Sequence, residues 1–242
     1  LLAAGPVTVH LMVEVITFES TSQNVIGTLQ GVDAEQGIVY LGAHYDSLWH
    51  GPGANDDASG VGAVLEAARV LSTKGHRTKA TLKFCAFGAE EVGLQGSATY
   101  VGVNFDEVTA LGLGMINLDQ IAVGDTLLIG NLGWSDSGLT IYARQKAEAM
   151  MIDPWEPWTP APNSDHAHFE AVGVPAVYLH QYPDPYYHTA KDTLDKIDAV
   201  KLEENGELAT ALVYDWGKNP LLRSKKADRM KVVRIGEPGL TY

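Results

Sequence analysis

The chain has 242 residues, 45% hydrophobic and 19% charged, a balance that suits a globular enzyme with one large core or two small ones. A formal net charge of −13 argues against nucleic acid, because phosphate recognition needs a cationic face. No apolar run nears the ~20 residues that span a bilayer, and the single cysteine, Cys85, allows no intrachain disulfide.

Residues 7–18 are β-branched and partly alternating, and read as a strand. Residues 24–29 and 37–43 read as two more, joined by a turn at 31–37. Residues 57–74 show helical spacing through Val61, Val64, Leu65, Ala68 and Leu71, with Asp57 as N-cap and Gly75 as C-cap. A strand follows at 80–87, where Cys85 reads as a small buried hydrophobe. Then come a short helix at 94–101, strands at 113–118 and 126–129, and a helix at 137–151. A strand at 175–179 and a long helix at 198–216 complete the pattern. The basic stretch 223–234 reads as a solvated segment.

Strands alternating with helices predict a single α/β domain with a mostly parallel, twisted central sheet covered by helices on both faces. The domain expectation is an N-terminal strand at 1–22, a catalytic domain at 23–220 and a C-terminal tail at 221–242. Sites in such sheets lie beyond the carboxyl ends of the strands. His44, Glu90, Asp119 and the segment after Leu179 all come just past a predicted strand end.

Residues of these types at one edge are what metal-assisted hydrolysis needs: fixed anionic and neutral ligands for a divalent ion, with a spare carboxylate to handle protons. In Ala43-His44-Tyr45-Asp46-Ser47, alternation lets His44 and Asp46 face one site, with Asp46 steadying the imidazole by its far nitrogen. In Gly53-Ala54-Asn55-Asp56-Asp57-Ala58-Ser59-Gly60, capping accounts for one aspartate, leaving Asp56 to aim inward. Glu90 and Glu91 are adjacent like charges after an apolar strand, costly unless a cation offsets them. One can ligate a metal while its neighbour carries protons. Asp119 ends an apolar run, and His188 lies in an aromatic loop, Pro185-Tyr186-Tyr187-His188-Thr189.

Taken jointly, this set resembles the catalytic domain of the M28 family of zinc aminopeptidases, from about Asn24 to Trp216 and in the family's order. The resemblance implies two Zn²⁺, with Co²⁺ a possible substitute: His44, Asp56 and Asp119 on one ion, and Asp56, Glu91 and His188 on the other. It further implies Glu90 as general base, Asp46 behind the ligands and Tyr187 as donor to the oxyanion. Ser164-Asp165-His166 matches a loop near the metals. Peptides with a free N-terminus are the implied substrates, with no nucleic acid or membrane partner; the oligomeric state stays open.

His166 and His168 compete with His188 for the last ligand position, and His188 is preferred on its Tyr-His-Thr context. His10, His50, His76 and His180 read as bystanders. Trp155 and Trp158 read equally well as a pocket for an apolar side chain or as cover for the sheet edge. Gln120 stands where many relatives carry Met. The opening residues, without Met or a signal-like pattern, read as part of a longer precursor. Segment 7–18 reads as re-entry after a prodomain or an inserted protease-associated domain, and a secreted, periplasmic or cell-envelope location goes with that expectation. The competing functions are a glutaminyl cyclase with one zinc, a carboxypeptidase of the same fold, and a non-catalytic receptor-like module.

Overall fold

The structure is a computed structural model that describes residues 8–17, 19–73, 75–133, 138–154 and 164–219. Six strands form one mixed sheet: β1 (Val25–Leu29), β2 (Ile38–His44), β3 (Thr81–Phe87), β4 (Gly112–Leu118), β5 (Thr126–Gly130) and β6 (Ala176–Tyr182). Their order is β1-β3-β2-β4-β6-β5. The four inner strands run parallel, whereas β1 lies antiparallel to β3 and β5 antiparallel to β6. The parallel character expected from the alternating pattern therefore belongs to the interior, and both outer strands reverse it.

Strand alternation divides the core between two faces. Val39, Leu41 and Ala43 of β2 join Leu82, Phe84, Ile116, Leu118, Val177 and Leu179 on one face. That face is covered by α1 (Ala58–Leu71), α4 (Gly138–Ala149) and α6 (Ala199–Lys218), through Val64, Leu139, Leu212 and Trp216 among others. The Trp216 indole N–H also donates to the Leu113 carbonyl at 2.9 Å, fixing α6 on β4. Ile38 and Tyr40 of β2 face the other way, with Cys85, Phe87 and Met115. Their cover is α2 (Gln95–Val103), α3 (Phe105–Leu111) and α5 (His166–Ala171). Tyr40, Phe87, Tyr100 and Phe169 form one aromatic cluster there, with ring centroids 4.9 to 6.1 Å apart. Cys85 is buried among them, and burial pushes its thiol up.

Three local expectations are corrected. Among the described residues of 7–18 there is no strand: 8–17 are exposed, including Leu11, Met12 and Ile16, so β-propensity found no partner edge. The first helix ends earlier than expected, capped by Ser72, and Gly75 sits beyond it at φ +104°. The short helices α3 and α5 carry too few turns for periodicity to declare them. Lys74, Trp155, Trp158 and the segment 223–234 lie outside the described residues. Among the described residues, no helix is long and apolar enough to cross a membrane.

Candidate metal centre

Parallel strands that end at one sheet edge deliver the residues after them to that edge. His44 closes β2, Glu90 and Glu91 follow β3, Asp119 follows β4, and His188 lies on the loop after β6. Asp56 enters from the loop leading into α1, whose N-cap is Asp57.

These side chains converge. His44 Nε2 is 3.1 Å from Asp56 Oδ1 and 3.8 Å from Asp119 Oδ1. His188 Nε2 is 3.2 Å from Asp56 Oδ2 and 3.1 Å from Glu91 Oε2. Two groups capable of holding a metal result, His44–Asp56–Asp119 and Asp56–Glu91–His188, each with its donor atoms within 4.8 Å of one another. Asp56 belongs to both, turning one oxygen toward each imidazole. Asp56 Oδ2 and Glu91 Oε1 are buried without a hydrogen bond. Uncompensated buried carboxylate oxygens are costly, and one imidazole with two carboxylates suits a divalent ion of the zinc type. The residues fit such ions.

The electrostatics agree with that fit. Burial lowers the His44 pKa, but hydrogen bonds with Asp119, Asp46 and Asp56 outweigh it and hold the ring well above its ordinary value. Burial raises Glu91, and the Asp56 carboxylate adds to the shift. Glu90 belongs to neither ligand group. Burial pushes its carboxyl up to about 8, with His44 opposing and Asp119, Asp165 and Glu91 adding. Tyr187 is 48% exposed and stacks on the His188 ring at 3.7 Å. Burial and the nearby acids push its phenol up to about 12.

A model of peptidase family M28 matches residues 24–213, most of the chain. The chain belongs to peptidase family M28. Aminopeptidase YwaD of Bacillus subtilis is 34% identical over 206 residues, covering 81% of this chain and 45% of that protein. The solved structure of a zinc aminopeptidase from B. subtilis has a TM-score of 0.74 and 32% identity, covering 81% of this chain and 50% of the other. An Acidobacteriales glutaminyl cyclase shares the fold, with a TM-score of 0.68, 23% identity and coverage of 80% and 73%. This chain spans about half the length of the aminopeptidase relatives it matches.

Around the centre of this M28 chain, a second row of side chains holds the ligands. The nearest contact of His44 Nδ1 near Asp46 is its main-chain oxygen at 3.1 Å, with the carboxylate at 3.7 Å, so the expected carboxylate–imidazole bond is only the longer of the two. The Asp46 carboxylate instead accepts from the Glu90 and Glu91 amides at 3.0 and 3.2 Å. Burial raises its pKa, but His44 and these amides outweigh burial and hold Asp46 below its ordinary value. Ser164 Oγ donates to Asp119 Oδ2 at 2.7 Å and accepts from Asn117 Nδ2 at 2.9 Å, which gives the Ser164-Asp165-His166 loop a concrete contact.

Two expected bystanders lie against the site. His180 Nδ1 bonds the Asp119 carbonyl at 2.9 Å, and His50 Nε2 bonds the His188 carbonyl at 3.1 Å. His166 and His168 join neither ligand group. His166 is buried against Tyr178, and burial holds its pKa down to about 4. His76 meets the Tyr214 ring edge to face, and His10 is exposed. Gln120 is buried beside Asp119 at φ +59°, its amide nitrogen 3.4 Å from Asp119 Oδ1. Asp192 was missed altogether. Its carboxylate accepts from the Asn55 and Asp56 amides at 2.7 and 3.0 Å, contacts that leave no periodic or motif signal in one sequence.

Proposed function

We propose that this chain is a zinc-dependent exopeptidase that releases the N-terminal residue of peptides. The observation that carries this reading is the sharing of Asp56 between two ligand groups. His44, Asp56 and Asp119 would hold one ion, and Asp56, Glu91 and His188 the other. When bound, the pair would polarise a peptide carbonyl and lower the pKa of water from ~15.7 to about 7.

The chain's own residues do the rest. Glu90, bonded to neither ion, accepts the proton of the attacking water and passes it to the departing amine. Tyr187 keeps its proton at neutral pH and donates a hydrogen bond to the carbonyl oxygen as negative charge gathers there. The substrate α-amine is held by the carboxylates of the site. Holding that free amine confines cleavage to the terminal peptide bond.

The test is zinc titration of the metal-free chain, followed by hydrolysis of Leu-p-nitroanilide and its N-acetylated form. Activity is expected to need zinc, to saturate at two equivalents, and to vanish on the acetylated substrate. Saturation at one equivalent would reject the shared bridge. Cyclisation of an N-terminal Gln peptide without hydrolysis would make the protein a glutaminyl cyclase, and release of C-terminal residues would make it a carboxypeptidase. Cobalt is expected to replace zinc with activity retained.

A further inference from the structure

The backbones of the His44, Asp56, Glu90–Glu91 and Asp119 loops are each gripped by a carboxylate that belongs to a different ligand-bearing loop. Asp46, on the His44 loop, takes the Glu90 and Glu91 amides. Asp57, on the Asp56 loop, takes the amides of His44 at 3.2 Å and Gln120 at 3.0 Å. Asp192, on the His188 loop, takes the Asn55 amide on Oδ1 at 2.7 Å and the Asp56 amide on Oδ2 at 3.0 Å. The main-chain oxygen of Asp192 also accepts from Ala54 at 3.2 Å. One buried residue therefore engages three consecutive amides, and the third belongs to the shared ligand.

We propose that Asp192 is a positioning residue that couples the two ion sites, by fixing the backbone of the bridging Asp56 to the loop that supplies His188. The proposal rests on the two-ion reading above. Asp56 is the only ligand common to both groups, so a shift of its backbone moves donor atoms away from both ions at once. Asp192 itself comes four residues after His188, and its amide donates to the Thr189 carbonyl at 3.1 Å. Movement of the His188 loop is thereby transmitted to the Asp56 backbone, beside the direct approach of His188 Nε2 to Asp56 Oδ2 at 3.2 Å. Outer-row partners of metal ligands commonly change metal affinity 10–100-fold when removed.

The experiment compares zinc binding by the metal-free wild type and Asp192→Asn, using calorimetry and competition with a chromophoric chelator. Asp192→Asn keeps the shape and one acceptor but turns an NH₂ group toward a backbone N–H. It is expected to keep the wild-type circular dichroism spectrum while binding zinc about 10–100-fold more weakly, with both ions affected. Asp192→Glu retains the carboxylate at a longer reach and should fall between the two; it supplies the reading if the Asn variant fails to fold. A wild type that holds two ions, beside a folded variant that holds both with unchanged affinity, overturns the proposal alone. Loss of affinity confined to one ion overturns the coupling. A wild type that takes up a single ion overturns the functional reading, and this proposal with it.

Discussion

Glu90 and Glu91 are neighbours in sequence, yet only Glu91 enters a ligand group. That division predicts separable effects. Glu90→Gln should retain two zinc ions by elemental analysis while losing about three or more decades of kcat, the scale of a lost general base with a misplaced water. Glu91→Gln should lose metal as well. A second residue-scale prediction concerns Asp165, whose carboxyl is pushed up to about 7 by burial, only partly offset by the Ser97 hydroxyl and His44. An acid whose folded pKa is raised has its full contribution below the unfolded pKa and loses it as pH rises through the folded one. Stability of the zinc-free chain should therefore fall between about pH 4 and 7 on account of this group. His166, held down to about 4, works in the opposite direction over the overlapping window, since the unfolded ring binds its proton first. Asp165→Asn should thus gain stability relative to wild type on going from pH 5 to pH 8, by an amount of order 3 kcal/mol in urea melts. The ligand-type residues were legible because acids and imidazoles after apolar strands have no ordinary reason to be there. The second row was not, because Asp192, His50 and His180 act on main-chain atoms that any residue supplies.

At the scale of elements, the Glu90 loop owes its course to two glycines. A Cβ on Gly96 of α2 would lie 2.2 Å from the Gly88 carbonyl oxygen and 2.9 Å from its nitrogen. Neither backbone atom can yield without moving Ala89, Glu90 and Glu91. Gly96→Ala should therefore cost about 1–3 kcal/mol by overpacking and lower kcat as well, measured by urea unfolding and Leu-p-nitroanilide turnover. All six strands and helices α1, α2, α4 and α6 are readable from apolar periodicity, and Asp57 is readable as a cap because it stands directly before the first helical turn. The strand expected at 7–18 fails over its described residues for a definite reason. Its Val, Leu and Ile residues have the propensity of a strand, but a strand exists only through a neighbour, which propensity does not name. Only the reversed direction of β1 and β5 is hidden, since antiparallel and parallel pairing share one alternation.

For the whole molecule, a net charge of −13 and a centre rich in carboxylates make metal uptake a stabilising event. Each ion held at 100 times its Kd should add about 2.7 kcal/mol to the unfolding free energy. For a chain of this size that corresponds to an increase in Tm of roughly 5–10 °C per site. Chelation should reverse the gain, and calorimetric scans at graded free zinc will measure it.

The reversal of β1 has a practical corollary. Because that strand runs against β3, pairing Leu29 with Leu82 near the start of β3, the hairpin-like link into β2 emerges on the opposite rim from His44. Asp33 and Glu35 stand there in open solvent. A fluorescent reporter or affinity handle spliced between them would hang from the rim of the open sheet opposite the candidate centre, and the proposed peptide turnover should be undisturbed.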